Sequence, residues 1–139
     1  MRFMMLMIPK GYEKAEPGAV PTAEAVAAMM KYNEQLQKAG VLLALDGLYP
    51  PSMGARVTFA GGKAKVTDGP FTEAKEVVGG YWMIQVKSSE EAIEWATRCP
   101  GDDCTLEVRQ VQELSDFPAD VQEAAAGFSE MQSSKRNPA

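Results

Sequence analysis

The chain is 139 residues long and 45% hydrophobic, a size and apolar content suited to one domain with its own core. Its 14 basic and 19 acidic residues leave a net charge of −5, which excludes the massed cationic surface of a general nucleic-acid binder, so no direct nucleic-acid partner is expected. No apolar run spans a bilayer, so no membrane partner is expected, and two cysteines are too few for a disulfide framework, which points to a reducing cytoplasm.

Residues 2–8 read as the first strand. Every position from Phe3 is apolar, whereas a strand with one wet face alternates, so burial on both faces is expected. The segment is too short in its apolar part for a signal peptide, and no small-residue cleavage site follows. Pro9, Gly11 and Pro17-Gly18 mark a loop. Thr22 is the expected N-cap of a helix carrying Val26, Met29, Met30, Asn33 and Leu36 at helical spacing, with Gly40 as its stop. A short apolar strand over 41–45 precedes the turn-rich residues 46–51. Residues 56–60 and 63–67 flank Gly61-Gly62, a dipeptide suited to a two-residue hairpin.

A loop over 68–78 leads to a strand over 81–86. Ser88 with Glu91 fits a capping box, opening a helix that turns Ile93 and Ala96 inward and ends at Pro100-Gly101. Residues 105–111 alternate as a last strand. The order β-α-β-β-β-α-β is a split βαβ pattern with an added β-hairpin.

Two helices cover one face of such a sheet, yet two strands, the first among them, carry large apolar residues on both faces. A second sheet from an identical subunit is the simplest cover, so a homodimer is expected. The alternative is that the hairpin and the C-terminal tail cover that face within one chain. Residues 1–112 form the expected domain and 113–139 an extension. There Val121, Ala124, Ala125, Phe128 and Met131 form a helical stripe, and the polar end beyond Met131 reads as a disordered tail.

The chain contains no histidine, which removes Ser-His-Asp and Cys-His arrangements, His-ligated metals and imidazole acid–base chemistry. Any general acid or base is then a carboxylate, Lys, Tyr or Cys. The densest polar cluster runs from Asp68 to Glu76 and on to Gly79-Gly80-Tyr81. Asp68 stands where a strand ends. It either caps its own turn through the backbone or points into a cleft, and the two roles are compatible. Glu73, Lys75 and Glu76 read as a solvated face. Gly79-Gly80 reads as a bulge or a close backbone approach, because it lacks the spacing of a phosphate-binding glycine motif.

Glu107 and Arg109, two apart on a strand, share one face. Two readings stand: a charged pair between stacked sheets, which marks an anion or ligand site, or an ordinary surface pair. Cys99 and Cys104 lack C-x-x-C spacing and a second pair, so no metal site and no cofactor are expected. Core packing accounts for Tyr32 and Trp82 more readily than ligand stacking, and for Tyr81 as well.

Asp68-Gly69-Pro70-Phe71-Thr72-Glu73-Ala74-Lys75-Glu76, followed by Gly79-Gly80-Tyr81, resembles the signature of the YCII-related "DGPF" proteins, close to D-G-P-F-A-E-T-K-E and then G-G-Y. Gly40-Val41, Gly47-Leu48 with Pro50, the segment Glu94-Trp95-Ala96 to Cys99-Pro100, and Glu107-Val108-Arg109 extend the likeness over nearly all of residues 1–112. The resemblance implies an α+β, ferredoxin-like βαββαβ fold assembled as a dimeric α+β barrel. It also implies a link, in some members, to extracytoplasmic-function sigma factors. The wider group has a His-Asp pair proposed as catalytic. Here only the Asp is present, as Asp68, so that mechanism does not transfer intact. Gln110 replaces the family's Pro, and residues 113–139 run past the usual end.

Together these readings describe a cytoplasmic homodimer that binds a small polar or anionic molecule. Asp68 is the candidate proton-handling group and Arg109 the anion anchor, oriented by Glu107. Tyr81, Glu73 and Lys75 line the site. The chemistry most natural to such a set is carboxylate-assisted proton transfer of the isomerase or lyase kind. The competing reading is a non-catalytic regulatory module with a sigma-factor partner.

Overall fold

The computed structural model describes residues 1–134. Its central strand is β1 (Arg2–Pro9), paired antiparallel on one side with β5 (Gly80–Gln85) and on the other with β6 (Cys104–Gln110). The strand β2 (Leu42–Gly47) extends the sheet beyond β5, giving the order β2-β5-β1-β6. With α1 (Ala23–Lys38) after β1 and α2 (Ser89–Thr97) after β5, this is the ferredoxin-like βαββαβ arrangement. The added hairpin, β3 (Ala55–Ala60) and β4 (Lys63–Asp68), forms a separate two-stranded sheet. The four-stranded sheet of one chain is open, not a closed barrel. No helix among the described residues is long and apolar enough to cross a membrane.

Local chemistry explains the helix ends. Thr22 Oγ1 accepts the Ala25 N–H at 3.1 Å to start α1. Gly40 ends it with φ +74°, while Val41 N–H bonds Leu36 O and Gly40 N–H bonds Gln37 O, a paired closure that requires the left-handed residue. Ser88 Oγ accepts the Glu91 N–H at 3.1 Å, but the Glu91 carboxylate returns to the Lys87 N–H, one residue earlier than a capping box predicts. Gly61 and Gly62 both have positive φ, as the type I′ hairpin turn demands.

The core fills the helix-facing side of the sheet. Phe3 and Met5 of β1 stand opposite Ile84 and Trp82 of β5, and all four are buried beneath Tyr32 and Leu36 of α1 and Ala92 of α2. Tyr32 meets the Trp82 ring edge-on at 5.6 Å and donates its hydroxyl to Trp95 O at 2.7 Å, satisfying its one polar atom. The expectation that Ile93 points inward is corrected. Ala92 is the buried residue, and Ile93 is 53% exposed. Nine residues make α2 only two and a half turns long, and its inner face is narrow enough for the small Ala92 to take the contact.

The opposite side of β1 carries Met4, Leu6 and Ile8, and all three are only half-buried. Every residue of the hairpin is exposed, so the hairpin does not provide a packed cover. The tail is two short helices, α3 (Ala119–Ala124) and α4 (Phe128–Ser133), broken where Gly127 adopts φ +92°. Val121, Phe128 and Met131 remain exposed along it. The expected helical extension is present, with α4 running two residues past Met131 to Ser133, and residues 135–139 of the end expected to be disordered lie outside the described residues.

The tail is anchored where Arg2 grips Glu113 through two bonds, Nε to Oε1 at 2.8 Å and Nη2 to Oε2 at 3.0 Å. The hydrogen bonds from Arg2 hold the Glu113 carboxyl below its ordinary range. A depressed carboxyl contributes its full stabilisation above the unfolded pKa and loses it as pH falls through the folded one. Limited proteolysis should therefore release the tail faster as pH drops below the usual carboxylate range. In Glu113→Gln the release should be fast at every pH, whereas a flat profile in the parent chain would refute the anchor.

Candidate functional site

The motif loop, residues 69–79, is built around backbone approaches that only glycine permits. Gly69 donates its N–H to Gly54 O at 2.9 Å, and a Cβ there would lie 1.7 Å from Pro51 O. The Gly69–Pro70 peptide is cis. Phe71 follows, with the Arg56 guanidinium 4.2 Å above its ring centroid. At the far end, a Cβ on Gly79 would meet the Pro9 ring at 2.9 Å, and one on Gly80 would meet Asp46 O at the same distance. The expected close backbone approach at Gly79-Gly80 is what the structure contains.

The loop faces the segment after β1, where residues 12–14 form a 3-10 turn. Tyr12 donates its hydroxyl to Leu48 O, and Ser52 donates to Ala15 O at 2.9 Å. Between this segment and the motif lies a cleft of about 560 Å³, with Glu13, Lys14, Glu16, Ser52, Phe71 and Thr72 among its walls. Glu13 also borders a second cavity of about 440 Å³ with Lys10, Lys75, Glu76 and Asp103. One Glu13 carboxylate oxygen, Oε2, is buried without a hydrogen-bond partner among the described residues. A buried oxygen left in that state costs about 1–3 kcal/mol and more when charged, so it calls for a donor.

A smaller cavity of about 250 Å³ lies at the β2–β5 end of the sheet, beside Asp46, Asn33, Tyr81 and Trp82. Its polar groups already have partners. Tyr81 donates to Asp46 Oδ2 at 2.6 Å, and Trp82 Nε1 donates to Asn33 Oδ1 at 2.8 Å. It offers a ligand less than the cleft at Glu13 does.

The residues singled out from the sequence fall into two groups. Tyr81, Glu107 and Arg109 share the open face of the sheet. Leu6 of β1 stands between Tyr81 and Glu107, and Met4 stands between Met83 and Arg109. Glu107 and Arg109 pair loosely at 3.9 Å, both largely exposed. Asp68, Glu73 and Lys75 lie on the hairpin end and the motif loop, all exposed. No hydrogen bond or ion pair among the described residues joins Asp68 to Arg109.

Asp68 has an unexpected setting. It shares one face of the hairpin with Ala55, Val57, Phe59, Ala64 and Val66, while Arg56, Thr58, Lys65 and Thr67 take the other. Sequence reasoning passed over Glu13, because a lone glutamate in a Gly/Pro-rich loop carries no local signal. Its importance arises from contacts with a loop some sixty residues later, beyond the reach of spacing.

The family model of the YCII-related domain matches residues 1–115. An uncharacterized protein of Rhizobium meliloti (strain 1021) is 36% identical over 70 residues, which cover 50% of this chain and 53% of that protein. The chain thus spans about half the length of the curated relative it matches.

The Gly69 geometry gives a direct test of the loop. Gly69→Ala forces backbone against backbone and should cost about 1–3 kcal/mol in a urea melt, the range of overpacked sites. Gly18→Ala, where nothing lies within 4 Å, is the control and should stay within about 0.5 kcal/mol. Equal stability of the two variants would contradict the close approach.

Proposed function

The chain belongs to the YCII-related family, and on that footing we propose that it works as a homodimer binding a small polar molecule in the Glu13 cleft. The observation that carries the binding reading is the buried, unpartnered Glu13 oxygen in a cavity walled by the family motif. Two carboxylates, Glu13 and Glu16, favour a ligand presenting hydrogen-bond donors, such as an ammonium or a hydroxyl. A cavity of this volume lies within the range of small-molecule sites, about 300–1,000 Å³. This shifts the expected ligand from anionic toward donor-rich.

Dimerisation draws support from two bare apolar surfaces on one chain. The hairpin face of Val57, Phe59 and Val66 is more than half exposed at each residue, and the open sheet face presents Met4, Leu6 and Met83. Stacking that sheet on its copy would enclose Glu107 and Arg109, favouring the inter-sheet reading of that pair over the surface one. Docking the hairpin would take Asp68 out of open solvent into an enclosed setting. A catalytic Asp68 is therefore a property of the dimer in this proposal. The alternative, a regulatory module for a sigma factor, would use the exposed Val121, Phe128 and Met131 of the tail. A dimer of such a chain in the cytoplasm needs no membrane and no nucleic acid.

Sedimentation of the parent chain should give twice its 15.1 kDa mass, and Phe59→Asp should give the monomer with unchanged circular dichroism. A parent chain that stays monomeric at high concentration sinks the dimer.

Thermal shifts across a panel of small amines, polyols and carboxylates should find a donor-rich stabiliser. At a hundredfold excess over Kd the ligand contributes about 2.7 kcal/mol, roughly 10 °C in Tm for a domain of this size. Glu13→Gln should abolish the shift. A shift that survives Glu13→Gln but vanishes in Asp68→Asn would move the site to the hairpin.

A further inference from the structure

The two cysteines lie outside the motif loop, although Cys104 also borders the cavity of about 440 Å³ that Lys75 and Glu76 line. Cys99 follows α2, Cys104 opens β6, and both border a groove of about 480 Å³ beside Ile93, Leu106 and Val108. Gly101 stands between them in the connecting turn. A Cβ on Gly101 would lie 2.3 Å from Cys104 Sγ and 3.9 Å from both Cys99 Sγ and the Met7 methyl carbon. The missing side chain leaves a cradle ringed by three sulfur-bearing residues. The two thiol sulfurs can be no farther apart than the sum of the first two distances. A metal–sulfur bond of about 2.3 Å holds two sulfurs up to roughly 4.6 Å apart, so ligation by both thiols requires them to lie closer than that upper bound.

We propose that Cys99 and Cys104 form a binding site for a monovalent thiophilic cation of the Cu(I) type. Among the described residues, no three His, Cys, Asp or Glu side chains converge to hold a metal, so a tetrahedral divalent ion lacks its donors. Two thiolates are instead a soft, low-coordinate set of the kind that Cu(I) selects. The Gly101 backbone hydrogen-bonds the Cys99 sulfur, the contact that orients and tunes sulfur ligands in metal sites.

Asp102 and Asp103 stand next to Cys104 in the chain, and their carboxylates attract a cation. On binding, two S–H protons pass to water as two metal–sulfur bonds form. No atom changes oxidation state. The groove gives the ion a path from solvent to both sulfurs.

The test is a Cu(I) titration of the reduced full-length chain against a colorimetric Cu(I) chelator. One equivalent should be retained, with a near-ultraviolet sulfur-to-copper charge-transfer band. Cys104→Ser should weaken retention by at least about 100-fold, the upper end of what even outer-shell changes cost a metal site. The thermal unfolding of the metal-free variant should match that of the parent. Gly101→Ala, whose Cβ fills the cradle, should also weaken retention. Equal retention by Cys104→Ser and the parent overturns the site. So does a reduced parent chain that retains no Cu(I) yet forms an internal Cys99–Cys104 disulfide under mild oxidant.

Discussion

A four-stranded antiparallel sheet has two faces, and α1 and α2 cover one of them. Everything else in this molecule follows from that imbalance. On the covered side, Phe3, Met5, Trp82 and Ile84 meet Tyr32, Leu36 and Ala92 in a core without a buried charge. On the other side the same strands present Met4, Leu6 and Met83 between Tyr81, Glu107 and Arg109. Alternation along a strand sends every second residue to the open face. Making β1 apolar from Phe3 onward therefore stabilises the core and leaves a greasy surface in one stroke. The hairpin repeats the pattern, with Val57 opposite Val66 on one face and Arg56 opposite Thr67 next to them on the other.

The motif loop answers a different need. It has to cross from the hairpin back to the sheet while packing against the segment after β1. Gly69 lets the chain pass against the Pro51 carbonyl, and Gly79 and Gly80 let it pass Pro9 and the Asp46 carbonyl. Between these contacts Phe71 is held under Arg56. The glycines and the aromatic of the motif thus set the shape of the loop, and its polar residues face outward. The cleft forms because this loop and residues 12–17 are each tied to residues 48–54, by Gly69 N–H to Gly54 O and by Ser52 to Ala15 O.

Most of the fold was legible in the sequence because its signals are local. Thr22 and Gly40 bound α1, Gly61-Gly62 turns the hairpin, and the unbroken apolar run of β1 marks the central strand. The misread details depend on tertiary contacts. Ile93 has the hydrophobicity of a core residue, yet the phase of a short helix puts Ala92 there instead. The tail stripe is continuous in spacing but is cut between Ala125, which caps the end of one helix, and Gly127, whose left-handed backbone caps the start of the next. The site was less legible than the fold. The motif announced its own position, but which carboxylate it would enclose depended on a partner segment far earlier in the chain.

The lack of histidine sharpens the meaning of that carboxylate. With no imidazole, proton transfer falls to a carboxylate, a lysine, a tyrosine or a cysteine. Asp68, at the end of the hairpin, is exposed. Glu13 already has an oxygen shielded from water, but it sits in a cleft whose other polar walls are a lysine, a glutamate and two hydroxyls. On the proposed reading those groups hold and orient a ligand. What one chain builds is a cleft suited to binding, and a role for Asp68 rests on the proposed second subunit.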